Sequence, residues 1–314
     1  MTPRRHRRQR GAALLTAMVI VTLVTTLAAA MVWQQWRAVR VEAAERGRLQ
    51  AAWILAGALD YARHILREDA RAAGPPADHL KEPWATPMRD TPLSAFLAAD
   101  KNNTDDAPEV FLSGQISDAQ SRYNLRNLIN DDAGKLIPAE LEALKRLCTT
   151  AGVSADVAER LANALVAAHA GNEAAALMPQ SVAQLEWLGI EPDTVRRLAT
   201  LVVLLPVPTP LNLNTASSEV IAAALPGLAP GDAARLVDGR PRDGFKTLDD
   251  ARKLLPESIT LTNRQAGVSS RYFEVRSQLR MEDRVMQERS LLERRNPDVV
   301  PIQRERVNMN DPGG

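Results

Sequence analysis

From Gly11 to Trp36 the chain runs through GAALLTAMVIVTLVTTLAAAMVWQQW without a single charge, and Arg37 closes the run. About 20 apolar residues are enough for a helix to cross the hydrocarbon core of a bilayer. The segment therefore predicts a membrane-directed helix before any other feature is weighed. Arg4, Arg5, Arg7, Arg8 and Arg10 precede it with no acid between them. That bias predicts that residues 1–10 stay in the cytoplasm while the rest is translocated. A competing reading is a cleavable secretory signal with Ala28-Ala29-Ala30 as its processing site, which puts the mature N-terminus near residue 31.

The residues beyond Trp36 favour an anchor. No proline occurs between Pro3 and Pro75, and apolar residues continue at helical spacing through Trp33, Trp36, Val39, Ala43, Leu49, Ala52, Trp53, Ala56, Leu59, Ile65 and Leu66. Helix is predicted from about Ala12 to Ala73, broken by Gly74-Pro75-Pro76. At 1.5 Å per residue it measures roughly 90 Å, about three times the apolar thickness of a membrane. Its extramembrane half, amphipathic over 37–73, needs a protein surface to lie against.

Composition then removes several function classes. The formal net charge is +1, and outside the basic N-terminus 34 basic side chains face 38 acidic ones, so the surface as a whole is not built to hold nucleic acid. Cys148 is the only cysteine, and the four histidines (His6, His64, His79, His169) are scattered. An intrachain disulfide and a cysteine-built metal site are excluded, and a histidine-based centre has no pattern to stand on. Cys148, in LKRLCTTAG, occupies an apolar helical position and reads as a core residue. No nucleophile motif, phosphate-binding glycine loop or His-Glu-x-x-His sequence is present.

Residues 74–125 read as a proline-rich connection followed by a strand, with Val110, Leu112 and Ile116 alternating. The block 126–268 reads as helical and repeats itself: ten-residue units begin at Gly152, Gly189 and Gly227. Each unit is glycine, an apolar residue, a short turn, and then a helix with Ala or Val at its seventh position and Arg-Leu at its ninth and tenth. Glycine ends one helix, the apolar residue plugs the bend, and a new helix starts near Asp or Pro. From Ser270 the period falls to two. Phe273, Val275, Leu279 and Met281 share one face of a strand, Val285–Arg294 returns, and Val299–Val307 forms a third strand within 269–314.

Basic residues, Gly11, Ala12-Ala13-Leu14-Leu15 and an unbroken apolar helix resemble the class III leader of type IV pilins and type II secretion pseudopilins. The resemblance implies that residues 1–11 are a leader removed by prepilin peptidase on the cytoplasmic face. It further implies that Ala12 becomes the N-methylated N-terminus and that 12–36 is the transmembrane helix. The fifth residue of the processed chain is then Thr16, where most of the family has a glutamate that neutralises the N-terminal ammonium of a neighbouring subunit. A charge in an apolar filament is costly unless paired, so a subunit lacking the glutamate suits the filament tip. Within the family the chain is similar to minor pseudopilin K. His79–Ala85, Asp118 with the run Arg122-Tyr123-Asn124-Leu125, and Val268–Phe273 resemble that family's segments in the same order.

The implied architecture is α+β: a long N-terminal helix, a pilin-like antiparallel sheet, and a large all-α insert of helical-hairpin, sterile-alpha-motif-like repeats. The implied function is non-enzymatic, that of a tip or initiation subunit of the periplasmic pseudopilus in export across the outer membrane. The implied partners are the I and J types of minor pseudopilin, then the H type and the major pseudopilin, with the inner membrane, the outer-membrane secretin and exported proteins beyond them. Trp53, Leu59 and Ile65 are expected on the packing face of the helix. Calcium is expected from the family alone, and the acidic runs Asp100–Asp106, Asp131-Asp132 and Asp249-Asp250 offer oxygen ligands without matching an EF-hand loop. The alternative is an anchored helix-hairpin-helix DNA-binding protein, since Leu211–Ala216 and Leu225-Pro226-Gly227 look like such modules. Residues 206–255 carry no net charge, which leaves little phosphate attraction.

Overall fold

The computed structural model describes residues 8–71, 76–94, 110–130, 133–171, 176–281, 284–295 and 297–307. The anticipated acidic runs at Asp100–Asp106 and Asp131-Asp132 and the turn residue Asp283 lie outside them, as does most of the expected leader. The chain divides into two compact units, Met1–Ile54 and Leu55–Gly314.

Helix α1 spans Arg8–Arg71. It starts upstream of the expected Ala12 and runs through Gly11 without a break. Over the apolar run its residues are bare: Leu14, Val19, Leu23 and Trp33 each expose more than half of their surface. Among the described residues it is the one helix long and apolar enough to cross a membrane.

In the second unit the same helix changes character. Leu55, Leu59, Ala62 and Leu66 recur at four- and three-residue steps and are all buried, the spacing that lines one face of a helix. Leu59, Ala62 and Leu66 share a core with Trp84, Ile116, Phe273, Val275, Leu292 and Val299. Apart from Trp84, which sits in the 3-10 turn Pro83–Ala85, the partners of the helix come from an antiparallel sheet of five strands, β1 (Met88–Pro92), β2 (Val110–Asp118), β9 (Tyr272–Met281), β10 (Arg284–Arg295) and β11 (Asp298–Val307), in the order β1-β2-β9-β10-β11. The three C-terminal strands follow the expected alternation. Strand β1 does not: MRDTP, ending in proline, has no apolar period and reads as connection, yet it pairs antiparallel with β2 at the sheet edge. Proline and charge are tolerated there because an edge strand has one unpaired side.

Between β2 and β9 the chain builds its helical block: α2 (Pro138–Thr150), α3 (Ala155–Ala170), a 3-10 turn at Val182–Leu188, α4 (Pro192–Leu198), α5 (Ser218–Ala224), α6 (Pro230–Asp238) and α7 (Leu248–Arg252). Two-residue strands staple it: β3 (Tyr123–Asn124) to β6 (Val202–Val203), β4 (Ile129–Asn130) to β5 (Lys135–Leu136), and β7 (Leu211–Asn212) to β8 (Ala266–Gly267). Gly152, Gly189 and Gly227 have φ of 65, 77 and 77°, the left-handed conformation that closes a helix and favours glycine. After each, Ala158, Val195 or Ala233 and then Leu161, Leu198 or Leu236 enter one shared core. The repeated arginine stays outside and pairs with an aspartate in the first turn of its own helix: Arg160 with Asp156, Arg197 with Asp193, Arg235 with Asp232.

Candidate functional site

The N-terminal residues sit on regular helix. Ala12 is exposed, and the Thr16 hydroxyl donates to the carbonyl oxygens of Ala12 at 2.9 Å and Ala13 at 3.0 Å. A threonine turned back on its own helix satisfies its polar group in an apolar environment and carries no negative charge for a second chain.

The expected packing face is corrected. Trp53, Leu59 and Ile65 are six residues apart, and at about 100° per residue such positions point to three different sides of a helix. Leu59 is 4% exposed and belongs to the sheet core, and Ile65 packs on the same cluster. Leu59 is therefore inside the fold, while Ile65 is only half-buried. Trp53 is 78% exposed and remains available.

Where the helical block joins the sheet, the structure gathers buried polar residues from distant parts of the sequence. Asp118 ends β2, and its Oδ2 accepts from Asn212 Nδ2 (2.9 Å), Thr215 Oγ1 (2.5 Å) and Ser270 Oγ (2.7 Å). Its Oδ1 accepts from the Gln120 amide at 2.8 Å. Asn212 Nδ2 also reaches the Asp78 carbonyl at 3.1 Å, and Asp78 Oδ2 accepts from the Ser270 amide at 2.6 Å. Arg294 closes the set with Asp78 at 2.8 Å and Asp69 of α1 at 2.7 Å. Burial without a cation of its own pushes the Asp118 carboxyl up to about 6. Beside it, Asn214 accepts from the Phe245 amide at 2.7 Å and donates to the carbonyls of Phe245 and Val268, each at 3.1 Å.

The hairpin-like segment Leu211–Ala216 thus faces inward. Its Asn212 and Thr215 hold the block to Asp118 of β2 and its Asn214 ties the block's own turns together, rather than presenting amides to a phosphate. Sequence reasoning names Asp118, Asn212 and Ser270 inside its motifs and Arg294 at a strand end, but nothing in their spacing brings them together, and it does not single out Asp78. Asn124 and Asn127 repeat the device, binding Thr209 and its neighbours through both ends of their amides.

Asp69, Asp78 and Glu82 bring ligand atoms within 4.8 Å of one another, but the Arg294 guanidinium already lies between Asp69 and Asp78. Glu82 accepts from the His79 amide (3.1 Å) and Trp84 Nε1 (2.5 Å), and burial raises it to about 7. Asp250 forms a capping box with Thr247, and Asp249 and Asp250 pair with Arg252 and Lys253. Cys148 is fully buried, and burial followed by the charge of Asp156 pushes its thiol up to about 11, which keeps it protonated and unreactive.

An apolar helix continuing into an amphipathic one that packs on an antiparallel sheet defines a pilin-like protein, here carrying a large helical block. The sequence model of the family described as type II secretion system (T2SS), protein K, matches residues 211–269, the stretch running from β7 through the third repeat to β8. Type II secretion system protein K of Pseudomonas aeruginosa is 33% identical over 306 residues, covering 89% of this chain and 87% of the relative. The protein of the same name from Pectobacterium carotovorum is 29% identical, covering 95% and 96%. The fold is shared with a chain of the crystal structure of the GspK-GspI-GspJ complex from the enterotoxigenic Escherichia coli type 2 secretion system. The TM-score is 0.66 and the identity 19%, over 84% of this chain and 98% of that one. The chain belongs to the type II secretion system protein K family and has the minor pseudopilin role that goes with it. The DNA-binding alternative gains no support from these likenesses.

Proposed function

We propose that this protein is the non-enzymatic tip and initiation subunit of a type II pseudopilus. It is anchored by residues 12–36 in the inner membrane, with its N-terminus cytoplasmic and its globular part periplasmic. The observation that carries this reading is Thr16. Its hydroxyl is held by the helix's own carbonyls, so it offers no carboxylate to neutralise the ammonium of a subunit ahead of it. A chain with nothing to offer in that direction belongs at the front. The second support is bulk, because the block between β2 and β9 is too large to stack at the spacing of thin filament subunits.

In this reading prepilin peptidase cuts between Gly11 and Ala12 and methylates Ala12. The I and J minor pseudopilins pack along α1 around the exposed Trp53, followed by the H type and the major pseudopilin, and the tip meets the secretin and exported proteins. Calcium, expected from the family, is left without assigned ligands. The test is the mature N-terminus of the protein isolated from a host carrying a prepilin peptidase, read by mass spectrometry. N-methylated Ala12 is the expected start. A start near Met31, or an intact Met1, sinks the proposal.

A further inference from the structure

We propose that Trp33, Trp36, Arg37 and Arg40 form a lipid-headgroup site that binds membrane phosphates and sets the depth at which α1 leaves the bilayer. The inference rests on the membrane-anchor reading and adds a ligand to it. The four residues are spaced i, i+3, i+4 and i+7, so they share one face of the helix. Counting back from Trp33, Leu14 lies about twenty residues earlier, and at 1.5 Å per residue that stretch spans about 30 Å, the thickness of the hydrocarbon core. Both tryptophans therefore fall at the interface, where indoles are favoured. Arg37 and Arg40 fall among the phosphates.

The pairing of charges along the helix separates these two arginines from the next two. Arg46 pairs with Glu42 at 2.6 Å and Arg48 with Glu45 at 3.1 Å. Among the described residues Arg37 and Arg40 have no carboxylate partner. The Arg40 guanidinium instead lies over the Trp36 ring, 4.6 Å from its centroid. Stacking uses the face of the guanidinium and leaves its N–H edge free, the edge that recognises phosphate in a fork. Trp36 is 56% exposed and Trp33 65% exposed, so both rings keep surface to offer to lipid. An uncompensated pair of cations on an aromatic platform, one turn beyond the apolar run, is complementary to an anionic surface.

The test places a nitroxide on the full chain at Ala38→Cys, an exposed position that points about 100° or more away from each of the four residues and leaves the site untouched. Its depth is read from collisional accessibility to oxygen and to a nickel chelate. Phosphatidylethanolamine–phosphatidylglycerol vesicles are compared with phosphate-free galactolipid vesicles. In phospholipid, R37E/R40E is expected to move the label toward water by about one helical turn, ~5 Å. R37Q/R40Q is expected to move it less, and R37K/R40K to hold the wild-type depth. In galactolipid, wild type and R37Q/R40Q are expected at one depth. Equal depths for wild type and R37E/R40E in phospholipid, or the same glutamine shift in both lipids, would overturn phosphate recognition while leaving the anchor intact. Release of the wild-type chain from vesicles by alkaline carbonate would remove the anchor reading and this site with it.

Discussion

The sharpest expectation concerns Asp118 and pH. Its four hydrogen-bond partners are neutral, and burial raises its carboxyl from 3.8 to about 6. The folded state therefore binds more protons than the unfolded chain between those values, and stability falls as pH rises through that window. A shift of about two units at about 1.4 kcal/mol each corresponds to a loss on the order of 3 kcal/mol from pH 4 to pH 7. In D118N that component vanishes. The amide, however, turns one donor toward Asn212 Nδ2, which cannot accept, and costs about 1–3 kcal/mol at every pH. At pH 4 the variant should thus be the less stable protein, and by pH 7 the gap should close or reverse. The assay is denaturant unfolding of the full chain in mild detergent at both pH values. Parallel stability profiles for wild type and D118N would refute the reasoning, because they would mean that Asp118 titrates alike in the folded and unfolded states.

Further outcomes rest on packing. Leu59→Ala opens the helix–sheet core and should lower stability by about 2–5 kcal/mol, whereas Trp53→Ala, on an exposed site, should change it by less than about 0.5 kcal/mol while weakening co-purification with partner pseudopilins. Thermal unfolding and pull-down from one preparation separate the two. Gly244→Ala places a Cβ 2.9 Å from Asn214 Nδ2 and 3.0 Å from His79 Cβ at a φ of +66°. It should cost more than about 1 kcal/mol and loosen the Asn214 turn, visible as faster amide exchange at Phe245. Trp84→Ala removes a 1%-exposed ring set edge-on to Phe273 at 5.3 Å and should cost about 3–5 kcal/mol. A smaller loss would show that the Pro83–Ala85 turn is not part of that core.

Much of the fold can be read without coordinates wherever a period exists. The alternation of Phe273, Val275, Leu279 and Met281 places a strand, and the glycines at 152, 189 and 227 place three left-handed turns, because each device repeats at the spacing of its element. The junction obeys no such rule. Asp78, Asp118, Asn212, Thr215 and Ser270 become neighbours only once the chain has returned to the sheet, and buried polar residues look in sequence like any loop. The misjudged helix face has a different origin. Hydrophobicity alone groups Trp53, Leu59 and Ile65, but the angle between them excludes a shared side, and the buried series is the one stepping through Leu55, Leu59, Ala62 and Leu66. Strand β1 shows a third limit, since an edge pairing needs neither apolar residues nor alternation.

The register of β2 against β9 has a mechanical meaning. Asp118, where the chain leaves the sheet, lies opposite Phe273, just after it returns, and the ladder continues from there to Val110↔Met281. Any force applied to the helical block along the strands therefore reaches β2 and β9 side by side. The flanking ladder to β10, with ten consecutive residue pairs, takes that load in shear, many bonds at once, instead of being peeled open one bond at a time. A block hung this way can be pushed or held at its far end without unzipping the sheet that carries it.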